Sequence, residues 1–216
     1  MICHDNKCIF IHIPKTAGTS IEHSFKKVKV KGSKVKKHPK TKHHTLEQYK
    51  NEYPEEFNNY YKFTVVRNPW EREYSLWRFM NETYNKKINL QKILNIFKGK
   101  GKGKGVRHSF KEYLRNLEKD IDFYIKDSTF SWKHLFRNQK EYIMVDQVLE
   151  LDKIIRYERL DLGYQEICKT LDRYNEPLPK IYYSGETSHL ERYDQEEIDL
   201  VAKIRRDDID FLGYSI

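Results

Sequence analysis

Residues Ile9 to Ile13 form an apolar run broken only by His12, and the run stops at Pro14. A short, β-branched stretch of this kind predicts a buried strand. Beyond Pro14 the period changes. Ile21 and Phe25 stand four apart, so a helix is predicted over 18–28. Between strand and helix lie Lys15, Thr16, Ala17, Gly18, Thr19 and Ser20. A strand, a tight turn and a helix N-terminus bring free backbone N–H groups and the positive end of the helix dipole together, and Lys15 adds a full charge. The pattern predicts an anion site without saying which anion.

The alternation of periods continues along the chain. Thr45, with Gln48 three residues on, predicts a capping box at the start of a helix running to about Tyr53. Pro54 suits the first position of a further helical turn. Tyr61 to Val66 reads as a second strand and ends in Arg67-Asn68-Pro69-Trp70. Trp70, Tyr74, Trp77 and Met80 then recur at three and four, which predicts a helix with a core-facing side rather than an adenine platform. Helical spacing is also expected over 86–97, 109–117, 162–174 and from Asp194 to about Asp208, with Phe211 to Tyr214 packing as a tail. Residues 130–138 read as irregular or short helix, and 142–145 and 153–157 as short strands. Strands separated by helices predict an α/β fold in one domain, residues 1–216. Ligands of such a fold lie at the carboxyl ends of the strands, where both motif loops fall.

Charge changes the picture more than composition does. The chain has 216 residues, 34% of them charged, and a net charge of +9. That balance predicts attraction to an acidic partner. Nine lysines crowd residues 26–42, and Lys98 to Gly105 alternates Lys with Gly; both are expected to be basic loops. The glycines of 98–105 do not have dinucleotide or Walker spacing. Three cysteines make no disulfide framework, and a reducing compartment is the simplest reading. No apolar run approaches the roughly 18 residues of a membrane span, and the first seven residues are too polar and short for a signal peptide. A cytoplasmic protein without stable membrane insertion is therefore expected.

The first loop is not a Walker sequence, because Lys15 precedes Gly18 and there is one glycine only. No metal-binding Asp stands at a second strand end, whereas phosphoryl transfer from a nucleoside triphosphate normally needs Mg²⁺. A phosphate-like anion without metal is expected. Adjacent His43 and His44 lack the neighbouring ligands of a zinc site. His12 reads as a packed or phosphate-adjacent histidine. Glu22 and His23 read as solvent-facing, and Glu158 as a partner for a neighbouring arginine.

Ile13-Pro-Lys-Thr-Ala-Gly-Thr-Ser20, followed about 50 residues on by Val66-Arg-Asn-Pro-Trp-Glu-Arg72 and Ser75, resembles the sulfotransferase superfamily. The likeness is greatest to the carbohydrate 2-O-sulfotransferase-like group and its bacterial relatives. It continues weakly at Arg156 to Glu158, at Thr187 to Leu190 with Arg192, and ends at Phe211 to Tyr214. The resemblance implies a P-loop-like three-layer fold with a central parallel sheet flanked by helices. It implies 3′-phosphoadenosine-5′-phosphosulfate as donor and 3′,5′-adenosine bisphosphate as product, without metal. Pro14, Lys15, Thr16, Ala17, Gly18, Thr19 and Ser20 would hold the 5′-phosphosulfate. Arg67 and Ser75 would hold the 3′-phosphate, and Thr187, Ser188, His189, Leu190 and Arg192 would close over the nucleotide. Lys15 would stabilise the leaving group, and His43 or His44 would be the base. The acceptor is expected to be a glycan or another hydroxyl compound, with the basic loops favouring an acidic one and no nucleic acid. Two other readings stay open: a non-catalytic basic module that binds polyanions on this fold, and a nucleotide-dependent kinase.

Overall fold

The structure is a computed structural model that describes residues 1–27, 42–85, 109–126, 133–173, 177–179, 181 and 190–216. The expected helix at 86–97, the Lys-Gly repeat at 98–105 and most of the lysine-rich stretch lie outside them. The chain divides into two compact units, Met1–Asn68 with Gln139–Gly185 and Pro69–Asn138 with Glu186–Ile216.

The first unit is built on a four-stranded sheet. Its elements are β1 (Ile2–Cys3), β2 (Cys8–Ile11), α1 (Gly18–Lys27), α2 (Leu46–Glu52), α3 (Pro54–Asn59) and β3 (Tyr61–Val66). After the second unit's first segment come α6 (Lys140–Ile143), β4 (Met144–Val145), β5 (Val148–Leu149), β6 (Lys153–Arg156) and α7 (Leu160–Thr170). The order is β1-β2-β3-β6, with β2, β3 and β6 parallel and β1 antiparallel at the edge. The central sheet is thus mostly parallel, in a mixed α/β arrangement. Phe10 stands beside Phe63, and Val65 beside Ile155. Together with Ile21 and Phe25 of α1 and Tyr164 and Ile167 of α7 they form one buried cluster. Ile9 and Ile11 point to the other face and are equally buried, so both faces of the strand are covered. Gly163 lets α7 lie close to β6, since a Cβ there would sit 2.4 Å from Ile155 Cγ2.

Local chemistry fixes the entrances of the helices. The Thr45 hydroxyl accepts the Gln48 N–H and the Gln48 side chain accepts the Thr45 N–H, the expected capping box. Pro54 opens α3. Two expectations fail here. Residues 142–145 are not one strand, because Tyr142 and Ile143 close a helical turn on buried Gln139 and only Met144 and Val145 extend. The first strand ends at Ile11, two residues early, because His12 and Ile13 already belong to the loop.

The second unit is helical among the described residues: α4 (Pro69–Asn85), α5 (Phe110–Lys126), α8 (Gln195–Ile204) and α9 (Arg206–Leu212). Trp70, Leu76 and Met80 of α4 pack with Phe110, Tyr113, Leu114 and Leu117 of α5 and Val201 of α8, with Tyr74 and Trp77 at the margin. The helical face expected of Trp70, Tyr74, Trp77 and Met80 is therefore a core face. The final helix is two helices rather than one. Arg205 breaks the helical dihedrals at φ −112°, and its side chain enters the core. There Arg205 Nε donates to Glu73 Oε2 at 2.7 Å, and Tyr113 donates its hydroxyl to the same carboxylate. Arg205 Nη1 also reaches the Phe136 carbonyl at 2.6 Å. Phe211 and Leu212, expected in a tail, belong to α9. Among the described residues no helix is long and apolar enough to cross a membrane.

Burial alone would favour neutral Glu73, but the Arg205 charge and the hydrogen bonds from Arg205 and Tyr113 outweigh it and hold the carboxyl below its ordinary value. Its contribution to stability is then complete above the unfolded value of about 4.3 and lost as pH falls through the lower folded value. Glu73→Gln should lower stability by about 3–5 kcal/mol at neutral pH, since it removes the carboxylate that pairs directly with buried Arg205. It should also flatten the acid limb of the stability profile. Chemical denaturation of both proteins across acid pH measures both effects.

Candidate active site

The parallel pairing of β2 and β3 brings the segments after Ile11 and after Val66 to one edge of the sheet. The first segment makes the turn that Pro14 begins. Lys15 and Ala17 are both left-handed, at φ 69° and 65°, while Thr16 and Gly18 between and after them are not. Alternating handedness turns successive N–H groups toward a common centre, which forms an anion-binding concavity. Helix α1 starts at Gly18 with no acidic residue in its first turn, so its positive dipole end is not neutralised from within.

The hydroxyls of the loop divide by role. Thr16 is fully buried and donates to the Ile13 carbonyl at 2.9 Å, which closes the turn. Ser20 is buried and accepts the Ile181 N–H at 3.2 Å. Lys15 and Thr19 are half-buried.

Beneath the loop lies the His12 ring. It is buried, and its Nδ1 is 2.9 Å from Glu22 Oε1. Glu22 follows Gly18 by four residues, so both lie on one face of α1. The ring occupies the space above Gly18: a Cβ there would be 2.0 Å from His12 Cδ2. Burial lowers the His12 pKa against the opposing pull of Glu22, so the ring is neutral near pH 7. A neutral ring donates to a carboxylate through Nδ1–H. Glu22, expected in solvent, is thus a buried hydrogen-bond partner, because the loop folds His12 back onto α1.

The two adjacent histidines part company. His43 is left-handed at φ 67°, and its ring lies 4.3 Å from that of His12. Its Nδ1 is 2.9 Å from the His12 carbonyl. A carbonyl only accepts, so Nδ1 carries the proton and Nε2 carries the lone pair in the neutral ring. His44 instead faces α2, with Nε2 3.2 Å from Glu52 Oε2 and its ring near Tyr49.

Arg67 follows β3 and is buried. Its guanidinium lies 4.3 Å from the Tyr157 ring centroid, and Nη1 is 3.5 Å from the Lys15 carbonyl. Its backbone is clamped by Gln139, whose side-chain oxygen accepts the Arg67 N–H at 2.9 Å and whose amide donates to the Arg67 carbonyl at 2.8 Å. Glu158 accepts the Asn68 N–H at 2.7 Å. The sequence reading did not single out Gln139 or the stacking role of Tyr157, since both come from distant segments. Ser75 lies in α4, and Leu190 and Arg192 form a short 3₁₀ turn, all in the second unit. Thr187, Ser188 and His189 lie outside the described residues.

The first unit's edge therefore joins a concave amide loop, a lysine, a stacked arginine and an imidazole with an oriented lone pair. The amides and the two cations of that set fit a phosphate-like dianion, while the imidazole offers an acceptor for a proton. The family model described as the sulfotransferase family matches residues 1–215. No curated protein and no solved structure matches the chain significantly.

Gly18→Ala should force the His12 ring out of its place and cost about 1–3 kcal/mol, as overpacking does. Combining it with His12→Ala should recover part of that loss, because the atoms nearest the added Cβ belong to the ring. Thermal unfolding of the single and double variants decides it; additive losses would show that the ring contact is not the cause.

Proposed function

Since the chain belongs to the sulfotransferase family, whose members transfer a sulfuryl group, we propose 3′-phosphoadenosine-5′-phosphosulfate as its donor and a carbohydrate hydroxyl as its acceptor. The observation that carries this reading is the left-handed alternation at Lys15 and Ala17 beside buried Arg67. It supplies backbone amides and two cations at one sheet edge, as a nucleotide with phosphates at both its 5′ and 3′ positions requires. When bound, the donor supplies a sulfuryl group on a phosphate leaving group.

The residues then act as follows. Loop amides from Lys15 to Thr19 hold the 5′ end, and Arg67 holds the 3′-phosphate. Lys15 stabilises the charge that grows on the bridging oxygen as the S–O bond to it breaks. His43, with its lone pair on Nε2, takes the proton of the attacking hydroxyl. His44 is engaged with Glu52 and has no part in proton transfer. The net charge of +9 favours an acidic acceptor such as a carboxylated or sulfated glycan.

Calorimetric titration with 3′,5′-adenosine bisphosphate, against ATP with Mg²⁺, tests the donor class. The bisphosphate should bind without metal, and Arg67→Ala should weaken it by roughly ten- to a hundredfold, the worth of a hydrogen bond to a charged group. Preference for ATP with Mg²⁺ would favour a kinase instead.

Sulfate transfer assays separate the histidines. His43→Ala should lose about 10²–10⁴-fold in turnover while binding the bisphosphate normally. His44→Ala should stay close to wild type. Normal binding with no turnover on any hydroxyl acceptor would point to a polyanion-binding protein.

A further inference from the structure

The sheet edge carries two cysteines face to face. Cys3 in β1 is the register partner of Cys8 in β2. Opposed residues of an antiparallel pair have Cα atoms about 4.5 or 5.5 Å apart, depending on their place in the ladder. Both spacings fall within the window of about 4.4–6.8 Å that a disulfide spans. The Cys3 thiol itself donates to Asn6 Oδ1 at 3.4 Å, within the turn that joins the two strands.

Their surroundings make the two unequal. Cys8 is fully buried in the core of the first unit, whereas Cys3 is partly exposed. Residues His4, Asp5 and Lys7 of the connecting turn are exposed, so the edge is open to small solutes. The Cys8 thiol beside it, helped by the Asn6 backbone and the Arg173 charge and opposed by burial, brings the Cys3 thiol down to about 7. Cys3 in turn, with burial, pushes Cys8 well above its ordinary value. A partly exposed thiol of lowered pKa beside a buried one is the arrangement of a peroxide-sensitive pair.

We propose that Cys3 and Cys8 form a redox dithiol, in which a hydroperoxide oxidises Cys3 and Cys8 resolves it to a disulfide between β1 and β2. The Cys3 thiolate attacks the terminal peroxide oxygen. The O–O bond breaks, an alkoxide or hydroxide leaves, and Cys3 becomes a sulfenic acid. Cys8 then attacks that sulfur: the S–S bond forms, the S–O bond breaks, and the hydroxyl leaves with the Cys8 proton as water. The protein loses two hydrogens, and the peroxide gains two electrons. A thiol reductant reverses the change. The proposal does not depend on sulfuryl transfer.

The folded full-length protein is treated with hydrogen peroxide, then alkylated with iodoacetamide and mapped by mass spectrometry. Wild type should lose two hydrogens, yield a Cys3–Cys8 linked peptide and leave Cys168 as the alkylated thiol, and dithiothreitol should restore all three. Cys8→Ala should stop at a Cys3 sulfenic acid, which dimedone traps. Cys3→Ser should lose no hydrogens under the same treatment. Cys3 lies on an edge strand, so this variant and wild type decide the question even if the buried Cys8→Ala does not fold. Three thiols still alkylated in wild type, oxygen gained in place of hydrogens lost, or a bridge through Cys168 or between chains would each overturn the proposal.

Discussion

The His12 ring lies where a side chain on residue 18 would otherwise be. Much of the first unit's site follows from that close approach. The ring fills the gap that Gly18 leaves on α1 and meets Glu22 one turn later, so the start of the helix is pinned to the chain that leaves β2. With the helix start fixed, the turn between must reverse within a few residues, and it does so through left-handed Lys15 and Ala17. These conformations cost free energy in non-glycine residues and persist because the surroundings over-determine them. The buried Thr16 hydroxyl on the Ile13 carbonyl is one such constraint. The His12 carbonyl, turned outward by the same fold, then holds His43 in the tautomer that leaves Nε2 with its lone pair.

The second constraint is the parallel pairing of β2 with β3. Parallel neighbours end at the same edge, so the cation after β3 arrives beside the loop after β2. A guanidinium in this buried position needs support from several directions. Tyr157 stacks on it, Gln139 takes both hydrogen-bonding groups of its backbone, and Glu158 holds the next N–H. Gln139 behaves as a short extra strand: its amide replaces the partner that β3 lacks where the ladder ends. The backbone around the guanidinium is thus preorganised by the side chains of Gln139 and Glu158.

The second unit is held by another kind of interaction. Its helices bury aromatic and aliphatic faces, and the ion pair of Arg205 with Glu73 lies inside that apolar packing. A buried pair of this kind adds little net stability compared with apolar residues, but losing one member is costly. Here the pair also decides where a helix ends, because Arg205 gives up helical dihedrals to reach Glu73 and the Phe136 carbonyl. The chain then restarts as α9.

Much of this was legible in order along the chain. The capping box at Thr45, Pro54 at a helix start, the strand Tyr61–Val66 and the core face of α4 all rest on short-range rules, and each stands where the local pattern puts it. The motif from Pro14 to Ser20 and Arg67 at a strand end were equally visible, because an anion loop is written in contiguous residues. Tertiary structure alone decided the rest. A carboxylate on a helix reads as solvent-facing until His12 is folded onto it, and Glu22 is buried for that reason. Adjacent His43 and His44 are indistinguishable by type, and only the left-handed backbone at His43 sends one ring to the loop and the other to Glu52. Gln139 and Glu158 act on residues more than 70 positions away, and no local period announces such a bond. The sequence by itself determined the elements and the anion loop, since these depend on neighbours in the chain. Which side chains orient the imidazole and the guanidinium was decided by burial and register, which bring together residues the chain keeps apart.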